Sequence, residues 1–239
     1  MKLHFQSTIL LLVASTLLLS SCGKFEARAE QSYSPVKEEI EESGFIRPTL
    51  YYFTLIDEDK TTCSQKVTMN VEKGQALKVC PDTLRTCTLQ GSCAITKQGV
   101  THSYNVMSKR GVIRFAEIAV GSCRFGFGVN SSCLDPFFTV AADLALYKPG
   151  DVIFVPAAVG LLLPNGQKHN GFFVIRDEGG NVKGKGRFDF FSGDISWKSD
   201  RNPFTKIGLQ SLSTHVPYFK IRGRRAQFIR ESRRYPGLP

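Results

Sequence analysis

The sequence predicts an all-β fold, a small closed barrel braced by disulfides. Three observations carry that expectation: short β-type runs broken by turn formers, no sustained helical periodicity, and an even set of cysteines once the first is set aside. The runs are Leu50 to Ile56, Lys66 to Val71, Ala76 to Cys80, His102 to Met107 and Gly111 to Ala116. In the second half, Asp151 to Pro156, Gly171 to Arg176 and Phe188 to Phe191 repeat the pattern. Apart from a helical turn near Phe138 to Leu146, apolar residues do not recur at helical spacing. A chain of 239 residues suits one domain with decorations.

The first residues have the order of a secretory signal. A charged start at Lys2 is followed by an apolar run from Ile9 to Leu19, too short to span a membrane, and then by Leu19-Ser20-Ser21-Cys22. A cysteine directly after small residues resembles a lipobox, which implies cleavage ahead of Cys22 and a diacylglycerol anchor on it. Gly23 in place of Asp resembles an outer-membrane address, so the expected location is the periplasmic face of the outer membrane. The reading divides the chain into a signal (1–21), a lipidated Cys22 with a polar, acidic tether (22–46), a barrel (47–197) and a basic C-terminal extension (198–239). A short helix near Val36 to Glu42 is the alternative for the end of the tether.

Export also decides the cysteine chemistry. Cys22 aside, Cys63, Cys80, Cys87, Cys93, Cys123 and Cys133 would enter an oxidising compartment, where three bridges are expected. Connectivity stays open, although Cys123 and Cys133 are a natural local pair across Gly126-Phe127-Gly128. No CxxC spacing or nearby histidine pair points to zinc, and no metal or cofactor is expected.

The formal charge is +10, and from Trp197 onward ten basic residues stand against two acids. Such a tail serves either contact with anionic lipid or wall polymer, or solubility alone. It lacks the aromatic interleaving of a base-stacking platform, and nucleic acid is not an expected partner in this compartment.

The segment from Ala141 to Gly193 carries the chemistry. Asp177 closes one strand and Asp189 lies in the next, with Gly179, Gly180, Gly184 and Gly186 between them. A hairpin there would bring the two carboxylates to one cleft, while Asp143 comes from a separate segment before the Pro149-Gly150 turn. Carboxylates crowded and buried together raise the pKa of one member, which becomes a general acid suited to glycosidic bond cleavage. Taken alone, Asp177 and Asp189 are more simply read as satisfying backbone N–H groups of a glycine-rich turn.

The stretch Asp177-Glu178-Gly179-Gly180-Asn181-Val182-Lys183-Gly184, followed by Arg187-Phe188-Asp189, resembles the DxGGxIKG signature of the three-aspartate (3D) domain. That domain is shared by the membrane-bound lytic transglycosylase A family and related periplasmic lipoproteins. Upstream, Ala141-Ala142-Asp143 with Pro149-Gly150-Asp151 to Pro156 resembles the segment supplying the first aspartate. The likeness is strongest over 140–193, with weaker echoes back to Tyr51. It implies a six-stranded double-psi β-barrel with additional strands and loops, and cleavage of the MurNAc–GlcNAc bond of peptidoglycan to a 1,6-anhydro product. By motif position Asp189 is the acid and base, with Asp177 and Asp143 orienting or tuning it.

Substrate-contact candidates are Lys183, Arg187, His169 and Asn170. Arg176 is expected to balance Asp177, and Asp135 to form a turn. Trp197, Phe190 and Phe191 are candidates for sugar stacking, with core packing as the other role for the phenylalanines. The sequence departs from the family at Gly186, which lengthens the Asp177–Asp189 spacing by one residue, and at Gln90 and Asn170, where acids are expected. A non-catalytic wall-binding lipoprotein is the alternative function, and a hydrolase using Asp151 or Asp194 is a third reading.

Overall fold

The computed structural model describes residues 34–109 and 111–237. The signal segment and Cys22 lie outside the described residues. Among the described residues no helix is long and apolar enough to cross a membrane.

In chain order, β1 (Ile40–Tyr51), β2 (Thr54–Asp57), β3 (Val67–Asn70), β4 (Ala76–Val79), α1 (Pro81–Gln90), β5 (Ser92–Lys97), β6 (Val100–Lys109) and β7 (Val112–Glu117) form the first half. The second half is β8 (Thr139–Ala142), β9 (Val152–Phe154), β10 (Phe172–Glu178), β11 (Arg187–Phe191), β12 (Val216–Ile221) and α2 (Gly223–Ser232). Six strands close into a barrel in the order β1-β11-β8-β10-β9-β12, as the fold class anticipated. The pairs β1·β11 and β8·β10 are parallel and the other four antiparallel.

Alternation along β1 sets its two faces. Ile46 and Leu50 join the barrel core with Val140, Ile153, Phe173, Ile175, Phe188 and Phe190, so Arg47, Thr49 and Tyr51 point outward. β8, β9 and the first five residues of β10 are buried throughout and read as continuous apolar runs, because elements cover their outer faces as well. α2 supplies one cover, with Ala226 and Ile229 packing on Val152, Phe154, Phe172 and Val174.

The segment from β2 to β7 forms a lobe inserted after β1. Its four-stranded sheet, β2-β5-β6-β7, has its own core of Met69, Val79, Ile95, Tyr104 and Phe115, flanked by the β3·β4 pair and α1. Cys63–Cys80 and Cys87–Cys93 brace the lobe, and Cys123–Cys133 closes the loop that follows it.

Several sequence expectations are corrected. The run Leu50 to Ile56 is two strands, broken at Tyr52-Phe53. Of the helical turn expected near Phe138 to Leu146, the first part is β8, flanked by β10 and β11, and a hydrogen-bonded turn follows, with the Leu146 and Tyr147 N–H groups both donating to the Asp143 carbonyl. α1 escapes a periodicity search because only Thr83 and Cys87 are buried; its punctuation is Pro81 in the first turn and a left-handed Gly91 at its end. Residues 40–46 are not tether but the first half of β1, paired with β12. Acids in and just before this segment are matched by C-terminal bases, Glu39 with Arg225 at 2.9 Å and Glu41 with Lys220 at 3.1 Å. The basic segment is therefore no mere extension: β12 completes the barrel wall.

Candidate active site

The 177–189 segment is not a hairpin. β10 and β11 flank β8 on opposite sides, and Ala141 of β8 pairs with Asp177 on one side and Asp189 on the other. A register shift between Ile175 and Asp177 brings Asp177 into line with Ala141. On its other side Asp189 pairs with Thr49 of β1. One outward-facing rung thus reads Thr49–Asp189–Ala141–Asp177 across four strands. At about 4.8 Å per strand the two acidic backbones lie about 10 Å apart, with only a methyl group between them.

Each carboxylate has its own donor. Tyr51 donates its phenol O–H to Oδ2 of Asp177 at 3.0 Å, and the Glu178 N–H donates to Oδ1 at 2.9 Å. The Thr49 hydroxyl donates to Oδ1 of Asp189 at 2.7 Å and accepts from Nη2 of Arg187 at 2.9 Å. Among the described residues no group hydrogen-bonds Oδ2 of Asp189. The sequence reading missed Thr49 and Tyr51 as site residues; the signal that could have found them is the alternation that sets Ile46 and Leu50 against Arg47, Thr49 and Tyr51.

Burial pushes both carboxyls up to about 6. For Asp177 the Glu178 N–H and the Tyr51 hydroxyl oppose this, while the charges of Asp189 and Glu178 add to it. For Asp189 the Thr49 hydrogen bond and the Arg187 charge oppose it. Burial, with the two carboxylates, holds the Tyr51 phenol well above its usual range, so it stays a donor. The burial comes from an aromatic patch beside the rung: Tyr51 packs on Phe191 at 5.0 Å, and Phe125 packs on both Phe191 and Phe53.

Asp143 follows β8 one rung along, and its environment is opposite. Oδ2 accepts from the Gly184 N–H at 2.9 Å and Oδ1 from the Ala145 N–H at 3.2 Å. These bonds, with Lys183 at 3.7 Å, hold its pKa below the usual value. It is an ionised clamp on the β10–β11 connection.

The remaining candidates separate. Lys183, 55% exposed, sits between Asp143 and Glu178 at the rim. Arg187 has its guanidinium engaged by the Arg47 and Phe188 carbonyls and by Thr49. His169 is a correction: it is 1% exposed and stacked between Phe138 and Phe173, each 4.6 Å away. Its Nδ1 accepts from the Gly171 N–H, so Nε2–H donates to the Phe137 carbonyl. Burial lowers its pKa to about 4, and the neutral ring is a core strut. Asn170 accepts from the Phe172 N–H, and Gln90 from the Tyr52 N–H, so both amides organise backbone.

Arg176 does not balance Asp177. Fully buried, it donates to the carbonyls of Cys133, Arg233 and Pro236, while Asp135 takes a bidentate pair from Arg233. Phe190 is core and Phe191 belongs to the aromatic patch, whereas Trp197 is 45% exposed. Asp194 is exposed and Asp151 pairs with Lys220 at 2.9 Å. Gly186, the extra residue in the motif, lets the chain pass the Phe45 carbonyl, which an added Cβ would approach to 2.3 Å. Among the described residues no group of three or more His, Cys, Asp or Glu side chains is gathered to hold a metal ion.

In comparisons with known proteins, the family model of the 3D domain matches residues 138–200. No curated protein matches the chain in sequence. Among solved structures the chain is similar to Escherichia coli MltA with bound chitohexaose, at 14% identity over 75% of this chain and 72% of that one, with a TM-score of 0.49. It is also similar to a membrane-bound lytic murein transglycosylase from Agrobacterium tumefaciens, at 12% identity over 80% and 76% with a TM-score of 0.46. Neisseria gonorrhoeae MltA follows at 13% identity over 75% and 72%, with a TM-score of 0.44. Its aspartates carried by β10, β11 and the end of β8, residues 138–200 of this chain are a 3D domain.

Proposed function

We propose that the chain is a peptidoglycan lytic transglycosylase, held by a lipid on Cys22 at the periplasmic face of the outer membrane. The observation that carries the reading is the asymmetry of the acidic rung. Both oxygens of Asp177 accept hydrogen bonds from the protein, whereas Asp189 keeps one oxygen open to a substrate. A carboxyl titrating near 6 holds a proton part of the time near neutrality and takes it back readily.

The chemistry follows from that oxygen. Asp189 gives its proton to the glycosidic oxygen as the C1–O bond breaks, and the leaving sugar departs as an alcohol. The resulting carboxylate takes the proton of the muramyl C6 hydroxyl as that oxygen bonds to C1. This closes the 1,6-anhydro ring without water and restores the acid. Asp177, fixed by Tyr51 and the Glu178 N–H, supplies negative charge beside the developing positive charge at C1. Asp143 holds the β10–β11 connection in place.

The test is the product. Purified protein incubated with peptidoglycan sacculi should release anhydro-muropeptides, identified by mass spectrometry of the soluble fragments. New reducing ends would indicate a hydrolase, and binding without release would indicate a wall-binding protein; either outcome defeats the proposal. Lipidation is read separately, from the mass of the peptide containing Cys22.

A further inference from the structure

Next to the acidic rung on the same outer face is a feature the proposed reaction does not use. In the parallel β1·β11 pair, Arg47 stands directly opposite Arg187, one rung before Thr49–Asp189. Like charges directly opposite each other in a sheet destabilise it. Here the partial burial of Arg187 and the Arg47 charge together lower the Arg187 pKa. Arg187 spends its N–H groups on the Arg47 and Phe188 carbonyls and on Thr49. The Arg47 guanidinium is exposed, and among the described residues it has no hydrogen-bond or ion-pair partner. Another rung along the same face of β1 is Phe45, 64% exposed.

The spacing suits a saccharide chain. Two residues of a parallel strand advance about 6.6 Å, so Arg47 and Phe45 follow the acidic rung at about one and two steps of that length. Steps of that size are close to the length of a pyranose unit. An exposed ring offers an apolar platform for a sugar face, and an unpartnered guanidinium offers a fork of donors matched to a carboxylate. Neutral glycans would use the platform and leave the cationic pair uncompensated.

We infer that Phe45, Arg47 and Arg187 form a subsite for the carboxylate borne by the muramyl unit whose C1 lies at Asp189. Arg47 makes the direct contact, Arg187 adds charge from behind, and Phe45 takes the next sugar. The inference rests on the glycan-cleaving role of Asp189 for its biological meaning. Its selectivity for acidic strands can be read by binding alone.

The experiment compares Arg47→Gln with wild type on three ligands: glycan strands with peptides, strands freed of peptides and so bearing the lactyl carboxylate, and neutral chitooligosaccharides. For each charged strand, kcat/KM is divided by the value for the neutral oligosaccharide. A charge-assisted hydrogen bond is worth enough to lower that ratio about tenfold. Arg47→Lys, which keeps the charge and loses the fork, should fall between. A drop on peptide-free strands assigns the subsite to the lactyl group, and a drop confined to peptide-bearing strands assigns it to the stem peptide. An unchanged ratio on both overturns the inference. If the wild-type protein cleaves nothing, the role of Asp189 fails, and the same ratios measured as dissociation constants still decide the subsite.

Discussion

Replacing Asp189 with Asn should abolish turnover and at the same time make the protein more stable at neutral pH. The folded chain holds a proton on Asp189 up to about pH 6, whereas the ordinary value is 3.8. Between those values the folded state binds more protons than the unfolded state, so stability falls as pH rises through the window. Each pH unit by which a carboxyl's titration is displaced is worth about 1.4 kcal/mol, so the displacement totals about 3 kcal/mol above pH 6. Asp189 is only partly buried and water screens part of that cost, so the net gain on removing it is about 2 kcal/mol. Asn keeps the acceptor for Thr49. For a chain of this size, Tm at pH 7.5 should rise by about 4–8 °C, and the difference should nearly vanish at about pH 3, below the ordinary value of 3.8. Calorimetry at both pH values reads the stability, and release of anhydro fragments reads activity, expected to fall about a thousandfold. An unchanged Tm at pH 7.5 would refute the claim that the carboxylate is held at a cost. Retained turnover would refute its role as acid.

Tyr51→Phe removes a hydrogen bond that lowers the Asp177 pKa, so the acidic limb of the kcat/KM profile should move to higher pH, by about one unit, with the fold unchanged by circular dichroism. Asp143→Asn weakens the acceptor for the Gly184 and Ala145 N–H groups. Because the Asp143 pKa is lowered in the fold, its contribution is present above 3.8 and lost as pH falls through the lowered value, so the variant should be less stable at pH 7 and match wild type in strong acid. Asp135→Ala leaves Arg233 without its bidentate partner beside the buried Arg176, and urea unfolding should show a loss of about 3 kcal/mol.

The parts of this fold that could be read from the sequence are those whose signals are local. β9 and the start of β10 announce themselves as apolar runs and β11 as an aromatic, alternating one, and Cys123 and Cys133 sit close enough in the chain to pair across a glycine turn. The order of Asp143, Asp177 and Asp189 marked the site region, because motif spacing survives in the one-dimensional string. What stayed hidden is long-range pairing. Nothing near Asp177 or Asp189 reveals that β8 inserts between their strands, since a glycine-rich connection of that length fits a hairpin equally well. The acids at Glu39 and Glu41 look solvated until Arg225 and Lys220 come beside them from the other end of the chain. His169 reads as a loop histidine because its stacking partners, Phe138 and Phe173, are brought to it only by barrel closure. Thr49 and Tyr51 are ordinary strand residues until the rung across β1, β11, β8 and β10 gives them carboxylates to serve.

Pairing of β1 with β12 joins a strand that begins at Ile40 to one that ends at Ile221. The wall therefore cannot close on a growing chain until nearly all of it has been synthesised, and a product cut short before Val216 is left with two open strand edges, on β1 and β9. Such long-range closure also slows folding, and on the export route proposed for this chain a slow-closing wall would keep the polypeptide threadable until it reached the far side.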